Sequence, residues 1–207
     1  MEYNITQYIK SRAHILDKQS RFMFLASRKC GTQSVCRYLL KDRCIVRKDS
    51  PNTHSKKING YSNLDIEYIF KFTIVRNPYE RVISAFHALQ QYSQRKGKVP
   101  ADIDFKIFVK EILSKKGIEY DVHFEPQYPN LFYFTETGKV PVVDFIAKLE
   151  NIDEDWKYIS SIIKCDSVLP HKNKSEHNHY SSYYDEETKD LIDELYKTDI
   201  QLLHYKF

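Results

Sequence analysis

The chain has 207 residues, of which 42% are hydrophobic and 14% aromatic. This length and composition exclude a disordered chain and a collagen-like repeat, and they favour one domain spanning residues 1–207. No apolar run approaches the roughly 20 residues that cross a bilayer, and charged residues interrupt the first twenty positions. We therefore expect a cytoplasmic protein without a signal peptide and without stable membrane insertion.

The charge is unevenly distributed along the chain. Residues 1–100 hold 19 Lys and Arg against 7 Asp and Glu, whereas residues 101–207 hold 13 against 21. The net charge of +4 is too small to indicate a nucleic-acid binder, but the asymmetry favours an anion site built mainly from the first half. The alternative is an ordinary surface of solvated lysines.

In chain order, the first predicted elements are two strands that each run into a helix. The apolar segment 22–27 predicts a strand followed by a polar loop and a helix, and 49–66 predicts an irregular connection. FKFTIV, residues 70–75, predicts a second strand, after which Asn77 and Pro78 predict a helix start. Five residues at helical spacing would form its apolar face: Tyr79, Val82, Ile83, Phe86 and Leu89.

The second half of the chain mixes further helices and strands. After a predicted loop at 93–101, Asp104 predicts the cap of a helix that Gly117 would end. Strands are predicted near 131–134 and 142–147, and helices near 153–163 and 185–197. This alternation favours a layered α/β fold.

Two strand-to-helix loops carry residues suited to anions. The first reads RKCGTQS, residues 28–34, where a helix N-terminus offers N–H groups and Lys29 offers a mobile charge. In the second, Arg76 ends a strand, and Ser84 lies on the following helix, roughly 9 Å along its axis from Pro78. An anion bound by Arg76 would be within reach of Ser84. A Walker A loop is disfavoured, because neither Gly-Lys pair of the chain is followed by Ser or Thr.

The pair of loops resembles the two cofactor-binding segments of the PAPS-dependent sulfotransferases, especially the carbohydrate sulfotransferase branch. In that family the first segment reads roughly PKxGTTS and holds the 5′-phosphosulfate, and the second reads RxPxxRxxSxY and holds the 3′-phosphate. Here they read RKCGTQS and RNPYERVISAF. The resemblance implies cofactor-binding roles for Arg28, Lys29, Cys30, Gly31, Thr32, Gln33, Ser34, Arg76 and Ser84.

The match departs from the family at two positions and extends beyond the two loops. Arg28 stands where the family usually has Pro, and Gln33 where it often has Thr. The later segments DVHFEPQ and LPHKNKS are similar to the same branch. The resemblance implies PAPS as cosubstrate without a metal, and a P-loop-like three-layer α/β domain with a central parallel sheet flanked by helices. It also implies that the turns at Lys29 and Arg76 lie side by side on one nucleotide.

Sulfonate transfer to a hydroxyl needs stabilisation of the leaving phosphate and a base. The resemblance gives the first role to Lys29. For the base, His123 in DVHFEPQ is similar to the family's HxxPQ segment, and we expect Pro126 to hold it extended. His54, in the irregular connection, is the second candidate and Glu125 the third.

The expected activity is transfer of a sulfonate from PAPS to a hydroxyl of a carbohydrate or glycoconjugate acceptor, with PAP released and no nucleic-acid partner. The alternatives are a nucleotide or nucleoside phosphotransferase and a non-catalytic binder of nucleotides or nucleic acid. His171, His177 and His179 could form a metal site, but only their spacing supports this hypothesis. An exposed loop without a metal is the favoured interpretation of these residues.

Overall fold

The computed structural model describes most of the chain, namely residues 14–17, 22–39, 45–48, 68–96, 99–100, 102–165, 168–169 and 178–207. These residues fall into two compact units. The first lies within Met1–Val75 and Pro129–Asn173, and the second within Arg76–Tyr128 and Lys174–Phe207. The irregular connection predicted at 49–66 lies outside the described residues.

The strands belong to the first unit. They are His14–Asp17 (β1), Phe22–Leu25 (β2), Ile45–Lys48 (β3), Phe70–Val75 (β4), Phe132–Thr135 (β5), Gly138–Pro141 (β6) and Phe145–Lys148 (β7). Five of them form a sheet in the order β3-β1-β2-β4-β7, while β5 and β6 form an antiparallel hairpin. Within the sheet β2, β4 and β7 run parallel, and β1 runs antiparallel to β2 and β3.

The helices are distributed over both units. They are Thr32–Leu39 (α1), Pro78–Lys96 (α2), Phe105–Ile107 (α3), Ser114–Lys116 (α4), Ile152–Ile163 (α5), Glu186–Leu195 (α6) and Lys197–Leu203 (α7). A π-helix, Phe108–Leu113, joins α3 to α4. Short 3-10 turns cover Ile118–Tyr120, Val122–Phe124, Tyr128–Asn130, Leu149–Asn151 and Tyr180–Tyr183. The α/β class is confirmed, with a parallel portion of three strands that is extended by antiparallel strands.

The core of the first unit follows from alternation along β2 and β4. Phe24 pairs in register with Phe72, their rings stack at 5.1 Å, and the Phe72 ring meets Trp156 edge-on at 6.3 Å. Trp156 is fully buried, and it lies on the apolar stripe of α5 with Ile152, Ile159 and Ile163. Alternate residues of the strands and residues about 3.6 positions apart in the helix thus point into one apolar cluster.

The second unit is built around α2. Asn77 caps this helix, since its Oδ1 accepts from the N–H of Tyr79 at 3.0 Å. All five residues of the predicted apolar face are at most 3% exposed, which confirms that face. The predicted loop at 93–101 is wrong for its first four residues, because α2 continues to Lys96; no Gly or Pro interrupts the helix formers before Gly97.

The end of α2 is followed by a second predicted helix, which the structure modifies. Asp104 caps it as predicted, accepting from the N–H groups of Lys106 and Ile107. Gly117, at φ +70°, ends it as predicted, in a conformation that disfavours other residues. The π-helical middle was not predicted, since a one-residue change in hydrogen-bond spacing leaves the sequence pattern almost unchanged.

Candidate active site

The loop after β2 folds into a tight turn that leads directly into α1. Helix α1 begins at Thr32, so Thr32, Gln33 and Ser34 form its first turn. Lys29 has φ 64° and Gly31 has φ 72°, and both therefore lie in the left-handed region. For a lysine this conformation costs about 1 kcal/mol. The predicted phosphosulfate residue thus occupies a strained backbone position that the surrounding loop maintains.

Hydrogen bonds from both ends hold this turn in place. The Thr32 hydroxyl donates to the carbonyl of Ser27 at 2.6 Å, which closes the loop across its base. The amide of Asn130 donates to the Ala26 carbonyl at 3.2 Å and to the Ser27 hydroxyl at 3.0 Å. The Thr32 hydroxyl proton is therefore used within the loop, and its backbone N–H remains the group suited to an anion.

The other loop residues divide into packing and polar positions. Cys30 is fully buried in the apolar cluster of the first unit, so its side chain packs while its backbone belongs to the turn. Arg28 and Lys29 are half-buried, and Gln33 is exposed. The N–H of Ser34 donates to the carbonyl of Gly31 at 2.9 Å, which closes the first helical turn. Cations and a helix N-terminus, all at one turn, make a chemically suitable anion cradle.

Arg76 lies in the second unit, directly before the capped start of α2. Its Nε is 3.3 Å from Oε2 of Glu80, one turn further on, and the Arg76 side chain is only 15% exposed. A guanidinium carries five N–H donors in a planar fork, and the Glu80 carboxylate helps to orient this group. Ser84 is half-buried on α2. Their joint role on a phosphate stays a prediction.

The side chain of Gln127 holds the backbone of Arg76. Its Oε1 accepts from the Arg76 N–H at 2.8 Å, and its Nε2 donates to the Arg76 carbonyl at 2.9 Å. Gln127 belongs to the DVHFEPQ segment, so the second unit brings the segment of the predicted base to the predicted phosphate-binding arginine. Sequence reasoning missed this contact, which spans 51 positions of the chain.

His123 is paired with a carboxylate. Its Nδ1 is 2.5 Å from Oδ1 of Asp121, and the same oxygen accepts from the His123 backbone N–H at 3.0 Å. The Asp121 side chain is 7% exposed and that of His123 is 24% exposed. An Nδ1–H bonded to a carboxylate fixes the tautomer in which Nε2 carries the lone pair, as a general base requires.

The expected extended conformation of His123 is wrong. His123 lies in the 3-10 turn Val122–Phe124, which Asp121 caps, and the chain leaves this turn at Glu125, with φ −52° and ψ 140°. The steric effect of Pro126 acts on the residue immediately before it and does not reach three positions upstream. Glu125 is exposed, and its role as a third base stays a prediction.

Two buried charged residues support the His123 segment. Arg81 is 1% exposed, its Nη1 donates to the His123 carbonyl at 3.2 Å, and its guanidinium lies 5.2 Å from the centre of the Tyr196 ring. Asp199 is fully buried and accepts from the N–H groups of Gln127 and Tyr128. Burial raises the pKa of the Asp199 carboxyl, while Arg81 and these N–H donors act in the opposite direction.

Of the remaining predicted histidines, the structure describes His179. His54, His171 and His177 lie outside the described residues. The Nδ1 of His179 is 2.8 Å from the Ser181 hydroxyl in a 3-10 turn. Within the described ranges, no group of three or more His, Cys, Asp and Glu side chains is arranged to hold a metal ion. Of the helices seen in those ranges, none combines the length and apolar character that a bilayer crossing requires.

Comparison with known proteins places the chain in a family. A model described as the sulfotransferase family matches residues 6–206, which is nearly the whole sequence. No curated protein and no solved structure matches the chain significantly. The match runs through both anion loops and through the His123 segment. The chain belongs to the sulfotransferase family.

Proposed function

We propose that the protein transfers a sulfonate from PAPS to a hydroxyl of a carbohydrate acceptor and releases PAP. Membership of the sulfotransferase family supports sulfonate transfer in general. The choice of PAPS and of a carbohydrate rests on the resemblance of RKCGTQS and RNPYERVISAF to the carbohydrate branch. We further propose that residues 1–207 act as one sulfotransferase domain with a P-loop-like, three-layer parallel core.

Each of the two loops offers donors that suit one anionic group of such a nucleotide. Arg28, Lys29 and the first turn of α1 supply cationic side chains and N–H groups to the phosphosulfate. Arg76 supplies a planar fork of donors to the 3′-phosphate, and Ser84 a hydroxyl. PAPS carries the sulfonate in an activated phosphosulfate linkage. Lys29 stabilises the charge that develops on the phosphate oxygen as this linkage breaks.

The hydrogen bond between Asp121 and His123 is the observation that supports His123 as the general base. A sugar hydroxyl is a weak nucleophile at neutral pH and has to lose its proton as it attacks. His123 takes this proton on Nε2 while the acceptor oxygen bonds to sulfur and the bond from sulfur to the phosphate oxygen breaks. Asp121 stabilises the imidazolium that forms at Nδ1. The atoms and charges balance without a further reactant.

The proposed function is tested with labelled PAPS against a panel of oligosaccharide, lipid and phenolic acceptors. We expect label on a carbohydrate, without added Mg²⁺, and its loss in Lys29→Ala and His123→Ala. Magnesium-dependent phosphate transfer from ATP would contradict the proposal in favour of a phosphotransferase. Strongly salt-dependent binding of RNA or DNA without PAP affinity would contradict it in favour of a nucleic-acid binder.

A further inference from the structure

The Gln127 side chain contacts the backbone of Arg76. Arg76 lies between the end of β4 and the start of α2. The Gln127 amide meets both polar groups of this residue, accepting from its N–H at 2.8 Å and donating to its carbonyl at 2.9 Å. This two-point contact fixes the orientation of the Arg76 backbone, from which its guanidinium projects.

Gln127 is itself held by a buried carboxylate. Its backbone N–H lies 3.0 Å and 2.8 Å from the two carboxylate oxygens of Asp199, and the Tyr128 N–H donates to Oδ1 at 2.8 Å. Gln127 is 1% exposed and Asp199 is 0% exposed. The amide therefore has little freedom to rotate away from Arg76, because its main chain is tied on the other side.

The charges in this network are costly to bury. Arg81, which contacts the same segment at the His123 carbonyl, is 1% exposed, and its Nε and Nη2 have no hydrogen-bond partner among the described residues. Buried ionic groups contribute little net stability, since their desolvation offsets most of their attraction. Arg81 and Asp199 instead fix the geometry of residues 123–128, which carry both the proposed base and Gln127.

We propose that Gln127 and Asp199 are positioning residues for donor binding, which act by holding Arg76 in the orientation that receives the 3′-phosphate. The inference rests on the proposed function, because it assigns Arg76 to that phosphate. Its specific consequence is selectivity. A substitution at Gln127 lowers the affinity for ligands that carry a 3′-phosphate and leaves the affinity for ligands without it unchanged.

The test compares two ligands on one set of variants by calorimetry. Gln127→Met keeps the side-chain length and removes both hydrogen bonds. We expect its PAP affinity to fall about tenfold, while the affinity for AMP, which has no 3′-phosphate, stays within about twofold. Asp199→Asn, which keeps the volume and removes the charge, is expected to show the same selective loss at smaller size. Arg76→Ala should lose PAP affinity in the same way, and adding Gln127→Met to it should cost nothing more.

A matched control separates positioning from general destabilisation. Gln90 lies on α2 in the same unit, and its Nε2 donates to the Ile103 carbonyl at 3.0 Å. Gln90→Met removes an amide hydrogen bond in the same way, and it should leave the affinities for PAP and AMP unchanged.

Equal losses for PAP and AMP in Gln127→Met, or a normal PAP affinity, would overturn the inference and leave the proposed function standing. A wild-type protein that does not bind PAP would refute both. If Gln127→Met does not fold, the PAP-to-AMP ratio of Asp199→Asn decides, and an unchanged ratio overturns the inference.

Discussion

The pairing of His123 with Asp121 makes a quantitative prediction for Asp121→Asn. The carboxylate oxygen accepts from the ring Nδ1 at 2.5 Å and from the backbone N–H at 3.0 Å, with the Asp121 side chain only 7% exposed. An asparagine retains an acceptor oxygen and removes the charge. In the proposed reaction His123 becomes an imidazolium, so the charge of Asp121 should contribute more in the transition state than in the resting enzyme.

The size of the effect follows from the strength of this contact. A hydrogen bond to a charged group contributes about 1.5–3 kcal/mol and a neutral one about 1 kcal/mol. The difference of about 0.5–2 kcal/mol predicts a fall in kcat of about 2- to 30-fold. KM for PAPS and the melting temperature should change little, because asparagine keeps an acceptor oxygen for the resting contacts and the lost charge acts mainly in the transition state.

The assay is steady-state transfer from labelled PAPS, with PAP affinity and thermal unfolding measured on the same preparations. Asp104→Asn is the control, since Asp104 also caps a helix in the second unit and contacts the N–H groups of Lys106 and Ile107. An unchanged kcat in Asp121→Asn would refute the role of the pair. A parallel fall in stability and PAP affinity would show that Asp121 only supports the fold.

Three further predictions concern the anion loop and the stability of the second unit. Lys29→Ala and Lys29→Gly should both lower turnover about 10²-fold. The free energy of unfolding should be about 0.5–1 kcal/mol higher for the glycine variant than for the alanine variant, because φ 64° suits glycine. Equal free energies of unfolding would contradict the backbone strain at this position. Gly31→Ala should destabilise the protein by about 1–2 kcal/mol in denaturant titrations, since φ is +72° and a Cβ would lie 3.0 Å from the Leu149 Cδ1; an unchanged midpoint would argue against this backbone conformation. Hydrogen bonds from the Thr188 hydroxyl and N–H lower the pKa of Asp185, so its contribution to stability is present above the usual carboxyl range and is lost as pH falls through and below it. Asp185→Asn should therefore flatten the pH dependence of the melting temperature below about pH 5, and a slope equal to that of the wild type would contradict it.

Local sequence patterns predicted the elements that carry the anion loops. The strand at 70–75 and the helix start at Pro78 match the structure, because a run of strand formers followed by Asn and Pro has few alternative conformations. The buried face of α2 was readable for the same reason, since its spacing repeats over several turns. Strands β1 and β3 were not predicted, because HILD and IVRK each hold only two apolar residues, whereas β2, of the same length, is wholly apolar.

The residues that support the site were not predictable from local patterns. Their hydrogen bonds join residues that are far apart in the chain. The separation is 51 positions for Gln127 and Arg76, 71 for Asp199 and Tyr128, and 104 for Asn130 and Ala26. A polar residue at such a position looks like an ordinary surface residue until the fold brings its partner near. Arg81 is similar, because a charged residue in a helix predicts exposure, and burial depends on carbonyls and rings from other segments.

Titration of the protein with PAP by calorimetry, without added Mg²⁺, shows whether the two loops bind the sulfonate donor. We expect one nucleotide per chain, with binding that is strongly weakened by Lys29→Ala and by Arg76→Ala and is unaffected by Gln90→Met. The absence of binding heat with PAP, or PAP binding that persists unchanged in both loop variants, would contradict the claim that these loops hold the sulfonate donor.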